Sequence, residues 1–180
     1  MQTSHASAVL PFEELATPLL TSLFNFAQWL TKNREDAEDL VHDAYLRAQR
    51  GFHTFQAGTD FRAWMFSIVR NTFLSSRTTA RARLTVALEE TEEYDLPTTS
   101  ETPETLSFAA MAVEGVYRAM EDLPHPYREV ILLSDVEELK YREIADLLNV
   151  PMGTVMSRLA RGRKLLRMSL QSEQSRRRAS

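Results

Sequence analysis

The chain has no cysteine among its 180 residues. That excludes a disulfide framework, a thiolate metal site and a cysteine nucleophile, and it fits a reducing cytoplasm. The four histidines, His5, His42, His53 and His125, are scattered, and no pair has metal-ligand spacing. Only five glycines are present, and none builds a phosphate-cradling loop. No apolar run approaches the length that spans a bilayer. The opening stretch, MQTSHASAVLPFEEL, lacks the basic patch and apolar run of a signal peptide. These absences leave an enzyme reading without positive support. They predict no cofactor, no metal, no membrane insertion and a cytoplasmic location.

What is present is helical periodicity. The segment from Phe12 to about Arg83 reads as mostly helical, and in its first part Leu15, Leu19, Leu20, Leu23, Phe24, Ala27 and Leu30 make one long apolar stripe. Glu35 to Arg50 makes a second helix, lined by Ala37, Leu40, Val41, Ala44, Tyr45 and Ala48. Phe61 to about Arg77 makes a third, rich in aromatic residues. Strong period-two alternation is lacking, so strands are not expected here. Residues 84–110 change character: LEETEEYDLPTTSETPETL is acidic, interrupted by Pro97 and Pro103, and poor in surface to bury. It reads as a linker.

A second domain follows over 111–170. A helix from about Met111 to Asp122 leads to a Pro124/Pro126 corner and a helix through Leu133. Tyr141 to Asn149 is then a short amphipathic helix with Ile144, Ala145, Leu147 and Leu148 on one side. Asn149-Val150-Pro151 breaks it, and Pro151 suits the first turn of a new helix. Val155, Leu159, Leu165 and Leu166 give that helix a buried side; Arg158, Arg161, Arg163, Lys164 and Arg167 give it charge. Two short helices with a tight turn, the second basic, form a helix-turn-helix that lays its second helix in a DNA major groove. The helix dipole also favours late basic residues, so a purely local reading stays open at this point.

Net charge is −4, but it is segregated. From Pro151 onward eight basic residues face Glu173 alone, a net of +7, which leaves −11 for the rest. Such segregation suits two kinds of partner. The carboxylates of Asp36, Glu38, Asp39 and Asp43 suit a docking face for a basic partner, although a solvated helix start is an equally physical reading. A metal site is the weaker alternative: Asp36, Asp39 and Asp43 fall near one helical face, but one helix rarely supplies converging oxygens. Phe52, Phe55, Phe61, Trp64, Phe66 and Phe73 alternate with Arg62, Arg70, Asn71 and Arg77. Core packing and stacking on single-stranded nucleic acid both account for such a cluster.

Several stretches, in order, resemble extracytoplasmic-function (ECF) sigma factors, the compact branch of the bacterial sigma-70 family. Asp36-Ala-Glu-Asp-Leu-Val-His-Asp-Ala-Tyr-Leu-Arg-Ala48 is similar to the region 2.2 helix, and Phe61-Arg-Ala-Trp-Met-Phe-Ser-Ile-Val-Arg-Asn71 to regions 2.3 and 2.4. Leu123-Pro to Leu133 resembles the opening of region 4, and Tyr141-Arg-Glu-Ile-Ala145 with Gly153-Thr-Val-Met-Ser-Arg158 its helix-turn-helix. The resemblance implies an all-α fold of two small helical domains, 12–83 and 111–170, with a flexible acidic tether and a basic tail at 171–180. It implies a non-enzymatic factor that binds core RNA polymerase and promoter DNA. Asp36, Glu38, Asp39 and Asp43 would then dock on the coiled coil of the β′ clamp, while region 4 sits on the β flap. Phe55, Ile68 and Asn71 would shape the pocket for a flipped −10 base. Gly153, Thr154, Ser157, Arg158 and Arg161 would face the −35 element. Many members of the family are held inactive by an anti-sigma protein. Met156 stands where many carry Arg or Lys; it can contact a thymine methyl or lie against the groove, but it cannot make a bidentate guanine contact.

Overall fold

A computed structural model describes residues 11–85 and 108–179, with side chains over 11–78 and 114–172. The first ten residues, most of the 84–110 linker and the Arg176–Arg178 side chains lie outside the described residues. The described residues are all-α, with turns and one isolated bridge between Ala57 and Thr59. Contacts divide the chain into two units, residues 1–99 and 100–180.

The first unit contains α1 (Phe12–Ala16), α2 (Leu20–Thr31), α3 (Arg34–Gly51) and α4 (Phe61–Thr85). The stripe predicted as one run is broken by a 3₁₀ turn at Thr17–Leu19, where Pro18 cannot donate a backbone hydrogen bond to continue the α-helix. On α2 the buried residues are Leu23, Phe26, Ala27 and Leu30; Phe26, not Phe24, points inward. Lys32 ends α2 in the left-handed region at φ 55°, its N–H donating to Gln28 O at 2.8 Å. Asn33 then starts α3, its side-chain oxygen accepting the Asp36 N–H at 3.1 Å. The buried stripe of α3 is Ala37, Leu40, Ala44 and Ala48. Small residues there let α3 lie close against α2 and α4. With no Gly or Pro between 61 and 85, α4 runs past its predicted end near Arg77.

The second unit contains α5 (Phe108–Glu121), α6 (His125–Ile131), a π-helical turn at Leu132–Val136, α7 (Tyr141–Leu148) and α8 (Met152–Ala179). Its core is aliphatic: Val130, Ile131, Leu133, Ile144, Leu148, Val155 and Leu159 are buried. α8 packs against α5, α6 and α7. At Gly162 α6 comes close: a Cβ there would lie 2.9 Å from Ile131 Cδ1 and 3.1 Å from Tyr127 Cβ. Gly162 is buried, whereas Leu165, expected inside, is exposed and Leu166 is half-buried.

The Leu123-Pro corner is held by Arg128. Its buried guanidinium donates to three backbone carbonyls at the end of α5: Met120 O at 2.8 Å, Leu123 O at 2.9 Å, and Glu121 O. One side chain thus gathers the carbonyls at and just past the helix end, where no further turn supplies donors; Met120 O also accepts the Leu123 N–H at 3.3 Å. Burial pulls the Arg128 pKa down, partly offset by the nearby Glu121 and Asp122 carboxylates.

Candidate functional site

Burial fixes how α8 is turned. Val155, Leu159 and Gly162 face the core. Gly153, Ser157 and Arg161 follow at i, i+4 and i+8 and form one exposed ridge on the outer side. Thr154 and Arg158 lie on its flank, both half-buried. A Cβ built on Gly153 would meet nothing within 4 Å, so the backbone there is open to approach. The Ser157 hydroxyl donates to Thr154 O at 3.0 Å within the helix. No acidic residue occurs from Pro151 to Ser172. The five residues expected at DNA thus divide into an outward ridge of three and a flank of two.

The turn before α8 is a Schellman motif. Asn149 adopts φ 54°, the Val150 N–H donates to Ala145 O at 3.0 Å, and the Asn149 N–H donates to Asp146 O at 3.2 Å. Asparagine tolerates this left-handed conformation better than most side chains. Pro151 precedes the first helical residue, and its carbonyl accepts the Thr154 N–H at 2.8 Å.

Arg163 behaves differently from the other cations of α8. Its guanidinium forks onto Asp135 in the π-helical turn, with Nη2 2.6 Å from Oδ1 and Nε 2.9 Å from Oδ2. The Asp135 carboxyl is held below the usual carboxylate range, chiefly by that hydrogen bond. The same bond raises the Arg163 pKa. The positive charge read along the sequence as one block is therefore partly committed to an intramolecular ion pair.

On α3, the inward stripe likewise sets the faces. Asp36, Asp39 and Asp43 recur at i, i+3 and i+7 and share one exposed side. Glu38 falls on the other flank, about 120° around the helix from them. There it accepts from Arg34 Nε at 3.0 Å, in an exposed pair. The four carboxylates expected to act together are thus three plus one.

The aromatic cluster is a packed body with a wet edge. Phe55 stacks on Phe52 with centroids 6.0 Å apart and planes 7° apart, and meets Phe61 edge-on at 5.3 Å. Trp64 leans on Phe55 at 5.5 Å and on Phe61 at 5.6 Å. Phe12 closes the cluster from α1, 5.1 Å from Tyr45 and 5.4 Å from Phe52. Phe52, Phe55, Phe61 and Trp64 are all half-buried, whereas Phe66 is fully buried against Phe26 at 5.2 Å. The loop over Gln56–Asp60 turns at Gly58, φ 98°, and Asp60 caps α4 by accepting the Ala63 N–H at 3.0 Å. Ile68, half-buried, and Asn71, exposed, continue the Trp64 side of α4. Asn71 lies about 10 Å further along the axis than Trp64. Arg62 and Arg77 each lie 5.5 Å over a ring of their own helix, Phe66 and Phe73 respectively.

The two units match known families separately. Residues 15–83 match the model of sigma-70 region 2, and residues 114–166 match that of sigma-70, region 4. The chain is 32% identical over 145 residues to the ECF RNA polymerase sigma factor EcfG of Rhodopseudomonas palustris, covering 81% of this chain and 77% of that protein. The chain belongs to the ECF sigma factors. These are promoter-specific initiation factors of bacterial RNA polymerase. Identity is 33% over 167 residues to the ECF RNA polymerase sigma factor SigE of Mycolicibacterium smegmatis, covering 92% of this sigma factor but 63% of that longer one. Among solved structures, the sigma factor RpoE bound to the anti-sigma factor NepR from Bartonella quintana superposes with a TM-score of 0.73 at 26% identity, covering 91% of this chain and 98% of that one. CnrH in complex with the cytosolic domain of CnrY shares the fold, with a TM-score of 0.62 at 23% identity.

Three structural partnerships of this sigma factor escaped sequence reasoning. Arg128 was visible only as part of a motif, yet it holds the α5–α6 corner. The Asp135–Arg163 pair joins residues 28 apart, beyond any local periodicity. Phe12 and Tyr45 belong to the aromatic cluster but come from two other helices. Aromatic type at the start of a helix was the one available signal for Phe12. No described helix is long and apolar enough to cross a membrane.

Proposed function

We propose that this sigma factor docks on core RNA polymerase through the Asp36–Asp39–Asp43 side of α3, against the coiled coil of the β′ clamp. Glu38 contributes from the flank. Residues 12–83 form the docking and −10 domain, 84–110 the tether, 111–170 the −35 domain on the β flap, and 171–180 a basic tail. The −35 duplex is met by Gly153, Ser157 and Arg161, with Thr154 and Arg158 beside the groove. The −10 base is held near the Gln56–Asp60 loop, with Phe55, Ile68 and Asn71 around it. Extruding that base costs a few kcal/mol, partly regained by stacking and edge hydrogen bonds. The work is recognition and strand opening, carried out in the cytoplasm; the chain's own side chains make and break no covalent bond.

The observation that supports this reading most is the separation of charge between two surfaces. One side of α3 carries three exposed carboxylates, and α8 carries exposed Arg161, Lys164 and Arg167 with no acidic residue up to Ser172. A lone duplex-binding regulator would need only the second. Because RpoE was solved with the anti-sigma factor NepR, an anti-sigma protein covering the polymerase-docking surface is part of the reading. The test is Asp39→Arg with Asp43→Arg. Core polymerase binding is expected to fail while helicity and affinity for −35 duplex persist. Polymerase binding that survives would overturn the α3 assignment. Mapped RNA 5′ ends from core polymerase on fragmented genomic DNA, with and without the chain, would supply the promoter.

A further inference from the structure

Beside the Gly153–Ser157–Arg161 ridge runs a second one, Met152, Met156 and Ala160, again at i, i+4 and i+8. Met152 is 52% exposed and Met156 51%, and Ala160 is exposed as well. Large apolar side chains usually turn inward on a helix whose core side is set by Val155, Leu159 and Gly162. These two stand out of the core within the first turns of α8. The next residue on their ridge is Lys164, and Arg161 and Arg167 lie nearby on exposed positions. A protein partner met by apolar contact would not need a helix that bears exposed cations and no acidic residue up to Ser172, whereas a phosphate backbone does.

Resting on the reading of α8 as the −35 helix, we propose that the Met152–Met156–Ala160 ridge reads thymine C5-methyl groups in the major groove. Apolar contact with that methyl is the one major-groove signal needing no hydrogen-bond donor or acceptor. Methionine suits it, being unbranched and polarisable enough to settle on a small apolar bump. Ala160 leaves room for the duplex beside Met156. Four residues of helix advance about 6 Å, close to two base-pair steps, so Met152 and Met156 reach separate thymines. Arg158, Arg161 and Lys164 then position the helix on phosphates, while guanine readout by a bidentate arginine is not available at position 156. The −35 preference of this sigma factor is therefore set partly by A·T pairs whose thymines point at this ridge.

The test uses the holoenzyme of core polymerase and the full chain on a promoter taken from mapped start sites. Each −35 thymine is replaced in turn by deoxyuridine, which removes only the methyl. At one or two positions affinity should fall about fourfold, the value of one buried methyl-sized group. Met156→Ala should abolish that penalty at one position and leave the others unchanged, and circular dichroism should match the parent because the side chain is exposed. Specific −35 binding that is indifferent to deoxyuridine everywhere would overturn the methyl readout and leave the α8 assignment standing. Loss of all −35 specificity in the parent holoenzyme would overturn both.

Discussion

The two units build their surfaces by different means. The first packs aromatic rings and an alanine stripe, and its ring cluster continues from the core to the edge where Phe55 and Trp64 are half-exposed. The second packs aliphatic side chains and fixes its helix ends with polar groups: Arg128 on three carbonyls, Asp135 on Arg163, and the backbone bonds around Asn149. In the first unit, core and candidate binding surface are one continuous body. In the second they are opposite sides of a single helix. Truncating rings in the first should therefore disturb stability and promoter opening together. In the second, stability and DNA contact should separate residue by residue.

The sharpest way to break that contrast is Phe66→Ala. The ring is fully buried against Phe26, so its loss should destabilise the first unit by about 3–5 kcal/mol. Both tryptophans of the chain, Trp29 and Trp64, lie in that unit, so fluorescence in a denaturant titration reports it selectively. Next comes Arg128→Ala, which removes three hydrogen bonds to carbonyls at the α5–α6 corner. A loss on the order of 3 kcal/mol is expected in the second unit. It should appear as an early fall of helicity in circular dichroism that tryptophan fluorescence does not follow. Coincident loss of both signals would mean the units do not unfold independently.

Gly162→Ala should have a smaller effect. The new Cβ must push Ile131 and Tyr127, at a cost of about 1–3 kcal/mol, against about 1 kcal/mol gained in helix propensity. A modest fall in melting temperature is expected, with Gly153→Ala as the control, since a Cβ there meets nothing. Asp135→Asn should matter least, below about 1 kcal/mol, because both partners are substantially solvated. Its effect should depend on pH. The folded Asp135 pKa lies below the ordinary value of 3.8, so the pair contributes fully above that value. The contribution is lost as the pH falls through the lower folded value. The melting difference between parent and variant should be present at pH 7 and close in acid.

Much of this molecule is legible along the chain. The period of Tyr141–Leu148, the stop at Asn149-Val150-Pro151 and the restart in a basic helix all follow from local rules, and the structure places them within a residue or so. The shared side of Asp36, Asp39 and Asp43, with Glu38 on the other flank, is legible from the helical period, whereas the turning of the Ala37–Leu40–Ala44–Ala48 stripe inward is set by packing against α2 and α4. Phe24 and Phe26 are equally apolar on paper; packing against Phe66 selects Phe26. The α8 stripe looked as though it ended on Leu165 and Leu166, but the close approach of α6 puts Gly162 inside instead.

Sequence by itself determined the all-α class, the helix-turn-helix, the segregation of charge and the sigma-factor resemblance, because each rests on spacing within one element or on motifs in order. Only the tertiary structure decided that one exposed cation of α8, Arg163, is committed to an ion pair, with an aspartate 28 residues away. It also decided which methionines stay outside the core, and that Gly162 rather than Leu165 faces it. Those outcomes depend on how helices distant in sequence are turned against one another, and that turning is set by burial and hydrogen bonding across elements.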